Sequence, residues 1–340
     1  MEMGYNKKMD KHIVGGCSYM RKALIVGIDN YPNAQLNGCV NDASAIAQCL
    51  RKNGDGSPNF DILEKDNIDN KTELKKLIRE LFDSKVEIAL FYFSGHGCKT
   101  KEDGYIVTPD YSTGNEGVSM TEILKIVNDS KATNKIVILD CCYSGKFGNG
   151  CLSDNLTEIS EGVTILTSSM DNQTSQESGG HGIFTNLLLE ALSGCAANIN
   201  GNITPGSIYS YIDQALDAWE QRPVFKTNTH SFVKVRTVVP SLELSVLRKI
   251  VDYFPTSTSE FALDPSFEFT NCAGYEHKII EPYADEKNVK KFKELQQMES
   301  VGLIEPVNED HMYYAAMNSK SCKLTALGYY YWQLVKKGKI

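Results

Sequence analysis

Two kinds of apolar pattern alternate through the first 240 residues. Unbroken runs (KALIVGID, FDILEK, VEIALFYF, the shorter GYIVTP, NKIVILD and GVTILTSS, with HSFVKVR as a last extended piece) have the length and β-branched or aromatic content of strands. Between them NDASAIAQCLRKN, KTELKKLIRELF, SMTEILKIVND, HGIFTNLLLEAL and TPGSIYSYIDQALDAW carry apolar residues at helical period. Strands that are apolar on both sides need cover on both faces, so the pattern predicts an α/β/α sandwich with a mostly parallel sheet. Two helix starts are legible: Ser119 with Glu122 forms a capping-box pattern, and Thr204 precedes Pro205 at a first-turn position.

The pattern changes near residue 241. ELSVLRKIVDYF predicts a helix, followed by an irregular aromatic stretch. EKNVKKFKELQQMESVG predicts a second helix, LIEPV and MYYAAM two short extended pieces, and LTALGYYYWQLVKKG a closing helix. A helix, two-strand, helix order predicts a small winged-helix-like α+β module at 241–340, after an extension at 1–20 and a domain at 21–240. Leu324, Leu327, Tyr331 and Leu334 are expected to form that last helix's core face.

Composition narrows the classes. The 340 residues are 41% hydrophobic and 23% charged with a formal net charge of -8, an ordinary globular balance without a general pull toward nucleic acid or anionic membrane. The first residues lack the apolar core of a signal peptide, and no apolar run is long enough to span a bilayer, so a cytoplasmic location is expected. Ten cysteines without a CxxC pair suggest neither a zinc site nor a disulfide framework. Residues 241–340 hold twelve Lys or Arg against fourteen Asp or Glu, whereas a duplex reader carries a concentrated positive field. Protein interaction or control of activity is the preferred role for this module.

Parallel α/β sheets deliver their functional loops to the carboxyl edge. Two such loops carry reactive groups: VEIALFYF runs into SGHG, presenting His96, and NKIVILD runs into CCYSG, presenting Cys142, 46 positions later. A thiolate is the attacking species, and an imidazole can take the thiol proton and return it to a leaving amine. Gly97, without a Cβ, lets its N–H approach a carbonyl oxygen, and with the N–H of Cys142 forms a potential oxyanion hole. Each residue alone has a plainer reading, a satisfied structural histidine or a buried thiol; the joint placement favours the functional one.

SGHG followed by D-x-C-x-S-G resembles the caspase-like cysteine peptidases (clan CD, peptidase family C14), in particular their metacaspase and bacterial caspase-homologue branch. The resemblance runs from Lys22 to about Arg236 and includes KALIVGIDNY, GCVND, SGHG, DCCYSG, SSMDNQTSQES with HGIFTNLLLEAL, and QRPVF. It implies a cysteine endopeptidase without an organic cofactor, with catalytic Cys142 and His96 and Cys141 as a bystander. Tyr143 departs from the usual histidine at a non-catalytic position. The resemblance also implies an S1 pocket lined by Cys39, Asp42, Ser94 and Asp140, and hence cleavage after Arg or Lys, since carboxylates hold a guanidinium or ammonium by charge-assisted hydrogen bonds.

Calcium, frequent in metacaspases, is not expected, because the matching region offers only Asp110 and Glu116 where a hard cation needs several oxygens. The loop from Gly145 to Gly162 is where the family can self-process, with Lys146 as the basic residue, and relatives with appended domains are linked to stress, cell death or antiviral defence. Asp42 has an alternative reading as the cap of its helix. His181 is read as structural, and His12, His230, His277 and His311 have no constellation. A catalytically silent scaffold on the same fold, or a nucleic-acid-binding regulator acting through 241–340, are the rival classes.

Overall fold

The computed structural model describes residues 21–101, 103–141, 159–168, 181–216, 223–276 and 278–340. They form two compact units, one comprising the described residues up to 191 with Pro205–Val233, the other Leu192–Thr204 with Lys234–Ile340. The second unit therefore takes in a segment lying far upstream of residue 240.

In the first unit the chain runs β1 (Arg21–Gly27), α1 (Cys39–Arg51), β2 (Asp61–Asp66), α2 (Lys71–Phe82) and β3 (Ile88–Ser94). A small antiparallel sheet of β4 (Gly97–Lys99), β5 (Gly104–Ile106) and β6 (Val118–Ser119) follows, then α3 (Met120–Asn128), β7 (Asn134–Asp140), β8 (Val163–Thr167) and α4 (Ile183–Glu190). After β9 (Asn202–Ile203), which belongs to the second unit, α5 (Pro205–Ala215) and β10 (Val224–Asn228) complete the first.

The main sheet has the order β10-β8-β7-β3-β1-β2, parallel except for β10, which runs antiparallel to β8. All seven residues of β3 are buried, as expected for a central strand, and each large apolar side chain there contributes up to about 1.5–3 kcal/mol. Helices α2 and α3 pack together on one face, while α1, α4 and α5 cover the other. Ser119 does cap α3, accepting the Glu122 N–H, and Pro205 opens α5. One strand is displaced from expectation: β10 forms at VFKTN, and HSFVKVR contributes only Arg236 to a two-residue strand, β11 (Arg236–Thr237), which pairs with β9. Pairing across the sheet edge, at Thr164 Oγ1 to Thr227 Oγ1 for instance, holds a segment too polar to announce itself.

The second unit continues with α6 (Leu244–Leu247), α7 (Ile250–Tyr253), β12 (Glu260–Ala262), α8 (Glu286–Ser300), β13 (Ile304–Val307), α9 (Met312–Met317), β14 (Ser321–Leu324) and α10 (Ala326–Lys336). Its sheet is antiparallel, order β12-β14-β13. MYYAAM is thus a helix and not an extended piece, and ELSVLRKIVDYF is two short helices. The buried stripe of α10 is Gly328, Tyr331, Trp332 and the partly buried Val335, whereas Leu327 is 44% exposed, against the expected face. Gly328 is required by contact: a Cβ there would fall 1.8 Å from the Leu303 carbonyl oxygen. Trp332 donates its indole N–H to the Phe254 carbonyl at 2.7 Å, so this aromatic belongs to the core.

Candidate active site

The strands β1, β3 and β7 end at one level: Gly27 stands opposite Ser94, and Ser94 opposite Asp140. The Gly95 N–H reaches the Asp140 carbonyl at 3.3 Å, so the SGHG loop leaves the sheet directly beside the segment that precedes Cys142. Cys142 and Lys146 themselves, with most of the 145–162 loop, lie outside the described residues; Cys141, immediately before Cys142, is buried.

His96 is held by backbone and by one phenol. Its own N–H donates to the Tyr31 hydroxyl at 3.0 Å, and that hydroxyl donates to the Val107 carbonyl at 3.2 Å. The Tyr31 ring meets the imidazole edge-on at 4.5 Å between centroids. Nε2 lies 2.6 Å from the Ala34 carbonyl oxygen; because a carbonyl only accepts, Nε2 carries the proton and Nδ1 of the neutral ring is left with its lone pair. Gly95 makes the approach possible, since a Cβ there would sit 2.6 Å from the Tyr31 oxygen. Burial pushes the Tyr31 phenol far above its ordinary range, so it stays a neutral donor.

Gly97 pairs with Ile106, and the Val107 N–H donates to the His96 carbonyl at 2.9 Å. That bond identifies Gly97–Ile106 as a non-hydrogen-bonded pair of the antiparallel ladder, in which both residues turn their N–H groups outward. The Gly97 N–H therefore points away from β5, off an edge strand.

The acidic residues arrive from different elements. Helix α1 crosses the end of β1 so closely that a Cβ on Gly27 would lie 2.3 Å from the Cys39 carbonyl oxygen. Its first turn is capped by Asp29, which accepts the N–H groups of Cys39 and Val40 at 2.9 and 3.2 Å. Asp42 is consequently not the cap. It is buried inside the first turn, accepting from Ser94 Oγ at 3.3 Å, from the Gly182 N–H and from His181 Nδ1 at 2.7 Å. Asp140 accepts from Thr185 Oγ1 at 2.7 Å, and the Tyr92 hydroxyl lies 2.6 Å from the same Thr185 oxygen. With the Thr185 proton committed to Asp140, Tyr92 donates to Thr185, completing a buried relay of oriented hydroxyls.

Both carboxylates converge on Gly182. A Cβ on Gly182 would stand 3.6 Å from Asp140 Oδ2 and 3.8 Å from Asp42 Oδ2. Burial, with a further push from Asp42, raises the Asp140 carboxyl to about 6, against the pull of Thr185. Burial also raises Asp42, opposed by its bonds to His181 and Ser94. Cys39, hydrogen-bonded with Ser94, has its thiol pushed far up by burial and is no nucleophile. The geometry thus brings together Cys39, Asp42, Ser94 and Asp140 from the sequence reading and adds Tyr31, Tyr92, His181 and Thr185.

Asp110 and Glu116, the acidic residues of the β5–β6 region, are both hydrogen-bonded. Asp110 accepts from the Lys71 N–H, Thr108 Oγ1 and Asn115 Nδ2, and Glu116 from the Gly114 N–H, so both carboxylates are used in ordering their own loop.

The carboxyl edge of the parallel sheet thus joins the His96 loop to two buried carboxylates, Asp42 and Asp140, beside the strand that leads to Cys141. The family model of the caspase domain of peptidase C14 matches residues 20–238, and the chain belongs to that family. No curated protein sequence matches it. Among the described residues no helix is long and apolar enough to cross a membrane.

Proposed function

We propose that the protein is a metacaspase-like endopeptidase that hydrolyses peptide bonds after Arg or Lys. The observation that carries this reading is the pair of carboxylates, Asp42 and Asp140, converging on Gly182 beside the His96 loop. A basic side chain entering there meets two anions in a partly desolvated site, where charge-assisted hydrogen bonds contribute about 1.5–3 kcal/mol each. An acidic side chain would meet like charge.

In the reaction, Cys142 attacks the scissile carbonyl carbon after its thiol proton passes to Nδ1 of His96. The C–N bond breaks as His96 gives that proton to the leaving amine, and a water, deprotonated by His96, then hydrolyses the thioester. The bond from Nε2 to the Ala34 carbonyl fixes the tautomer this requires and stabilises the imidazolium once formed. The outward N–H of Gly97, with that of Cys142, receives the developing oxyanion. Self-cleavage after Lys146 and a regulatory or partner-binding role for the second unit belong to the same reading, whose net acidic sequence over 241–340 disfavours nucleic acid.

Fluorogenic peptides differing only at P1 test the proposal. Hydrolysis after Arg and Lys, absent in Cys142→Ala, is expected; preferential hydrolysis after Asp would refute the pocket assignment. An identical intact band in wild type and Cys142→Ala would exclude self-processing.

A further inference from the structure

His181 has no part in the chemistry above, yet its Nδ1 bonds Asp42 at 2.7 Å, closer than Ser94 Oγ at 3.3 Å. The pairing spans 139 residues of sequence. With the Gly182 N–H and Ser94 Oγ it completes the hydrogen bonding of a carboxylate whose side chain is only 5% exposed, and a buried carboxylate without partners would be costly. The imidazole itself lies at the solvent boundary, with 19% of its side chain exposed. Asp42 lies more deeply buried than the ring that bonds it.

We infer that His181 is the pocket's own occupant of Asp42, and that a basic P1 side chain binds by displacing it. This rests on the assignment of Asp42 and Asp140 to the S1 pocket. A guanidinium that bonds Asp42 bidentately needs the oxygen His181 now holds, so the two cannot bond Asp42 in this way together. The groups around the ring agree with a movable contact. From α1, Asn41 Nδ2 is a loose 3.4 Å from Nδ1 and Asp42 is its strong partner. From β3, Ser94 bonds Asp42 and not the ring; from β7 and α4, Asp140 and Thr185 bond each other. Among the described residues, Asp42 is the carboxylate the imidazole pairs with, while Asp140 is bonded to Thr185.

The consequence is a specificity filter. A weakly basic or neutral P1 group cannot supply the interaction that His181 already gives and fails to open the site, while Arg can. Apparent affinity is reduced by the fraction of time the pocket is vacant.

The test measures KM for Arg and Lys peptides with the full-length protein at pH 8, in wild type, His181→Ala and His181→Gln. His181→Ala is expected to lower KM about three- to tenfold, as for a pocket vacant about a third to a tenth of the time in the wild type. Free imidazole should then inhibit His181→Ala competitively, restoring a KM near the wild-type value, and leave the wild type unaffected. His181→Gln, which keeps a donor on Asp42, should fall between the two. A KM equal to or above wild type in both variants, at unchanged melting temperature, overturns displacement and makes His181 a brace for Asp42. Asp42→Asn in the same assay separates the two layers of argument: if it retains Arg preference the S1 assignment fails, and if it loses that preference while the His181 variants change nothing, only the displacement fails.

Discussion

The two halves of the site are built from different materials. His96 is fixed almost wholly by backbone, through the Ala34 and Val107 carbonyls and its own N–H, with the Tyr31 phenol as the one intervening side chain. The acidic pair is fixed by side chains: Asp42 with Ser94 and His181, Asp140 with Thr185, which Tyr92 bonds in turn. Backbone acceptors carry no titration of their own, so the proton-handling half is indifferent to pH except through the catalytic groups. The recognition half contains two carboxyls raised by burial and is sensitive to pH over the range where they ionise.

Substitutions sharpen this contrast. His96→Ala should reduce kcat by about 10²- to 10⁴-fold with either Arg or Lys at P1, the usual range for a lost general acid–base group, as measured by steady-state kinetics. Asp140→Asn or Asp42→Asn should reduce kcat/KM for Arg peptides by about 10- to 100-fold, the loss of a charge-assisted hydrogen bond of about 1.5–3 kcal/mol, and most of the change should appear in KM. Equal losses in KM from His96→Ala and from the aspartate variants would erase the distinction.

Tyr31→Phe removes two hydrogen bonds of about 1 kcal/mol each while keeping the ring against the imidazole. It should lower kcat about 5- to 30-fold with KM little changed, which marks a positioning residue; a matching loss of thermal stability with normal kcat would mark a structural one. For pH, the Asp140 carboxyl at about 6 is charged above that value and neutral below it. KM for a basic P1 peptide should therefore rise as pH falls through about 6, and Asp140→Asn should flatten that component.

The smallest effect concerns stability. Because the folded-state value is raised above the unfolded one, the native state binds more protons between about 4 and 6, and stability falls as pH rises through that window. Asp140→Asn should remove the penalty and stabilise the protein by about 1–2 kcal/mol at pH 7, read as a higher midpoint in urea. A destabilised Asp140→Asn would mean that the Thr185 bond outweighs desolvation.

Sequence periodicity was sufficient for the central strands because a strand buried on both faces is apolar throughout, as in IALFYFS. It was also sufficient for the loops carrying His96 and Asp140, which follow from where such strands end. It misled where an element is short or lies at an edge. VFKTN is held by pairing with β8 rather than by its own hydrophobicity, and MYYAAM is six residues long, less than two turns, so aromatic content suggested a strand where the chain makes a helix.

The missed site residues share a different cause. Tyr31 stands in KALIVGIDNY and His181 in HGIFTNLLLEAL, both legible as motifs, but their roles depend on partners 65 and 139 positions away. Nothing local encodes such a pairing. A polar residue adjoining a helix start at the carboxyl edge of a parallel sheet is the one signal that could have drawn attention to Thr185.

The most direct test is a P1 scan of peptide substrates with wild type, Cys142→Ala and the Asp42→Asn, Asp140→Asn double variant. The account predicts Arg and Lys cleavage by wild type, none by Cys142→Ala, and a double variant whose slow cleavage shows no preference for Arg and Lys over neutral P1 residues. Undiminished Arg preference in the double variant, or cleavage that survives Cys142→Ala, would contradict it.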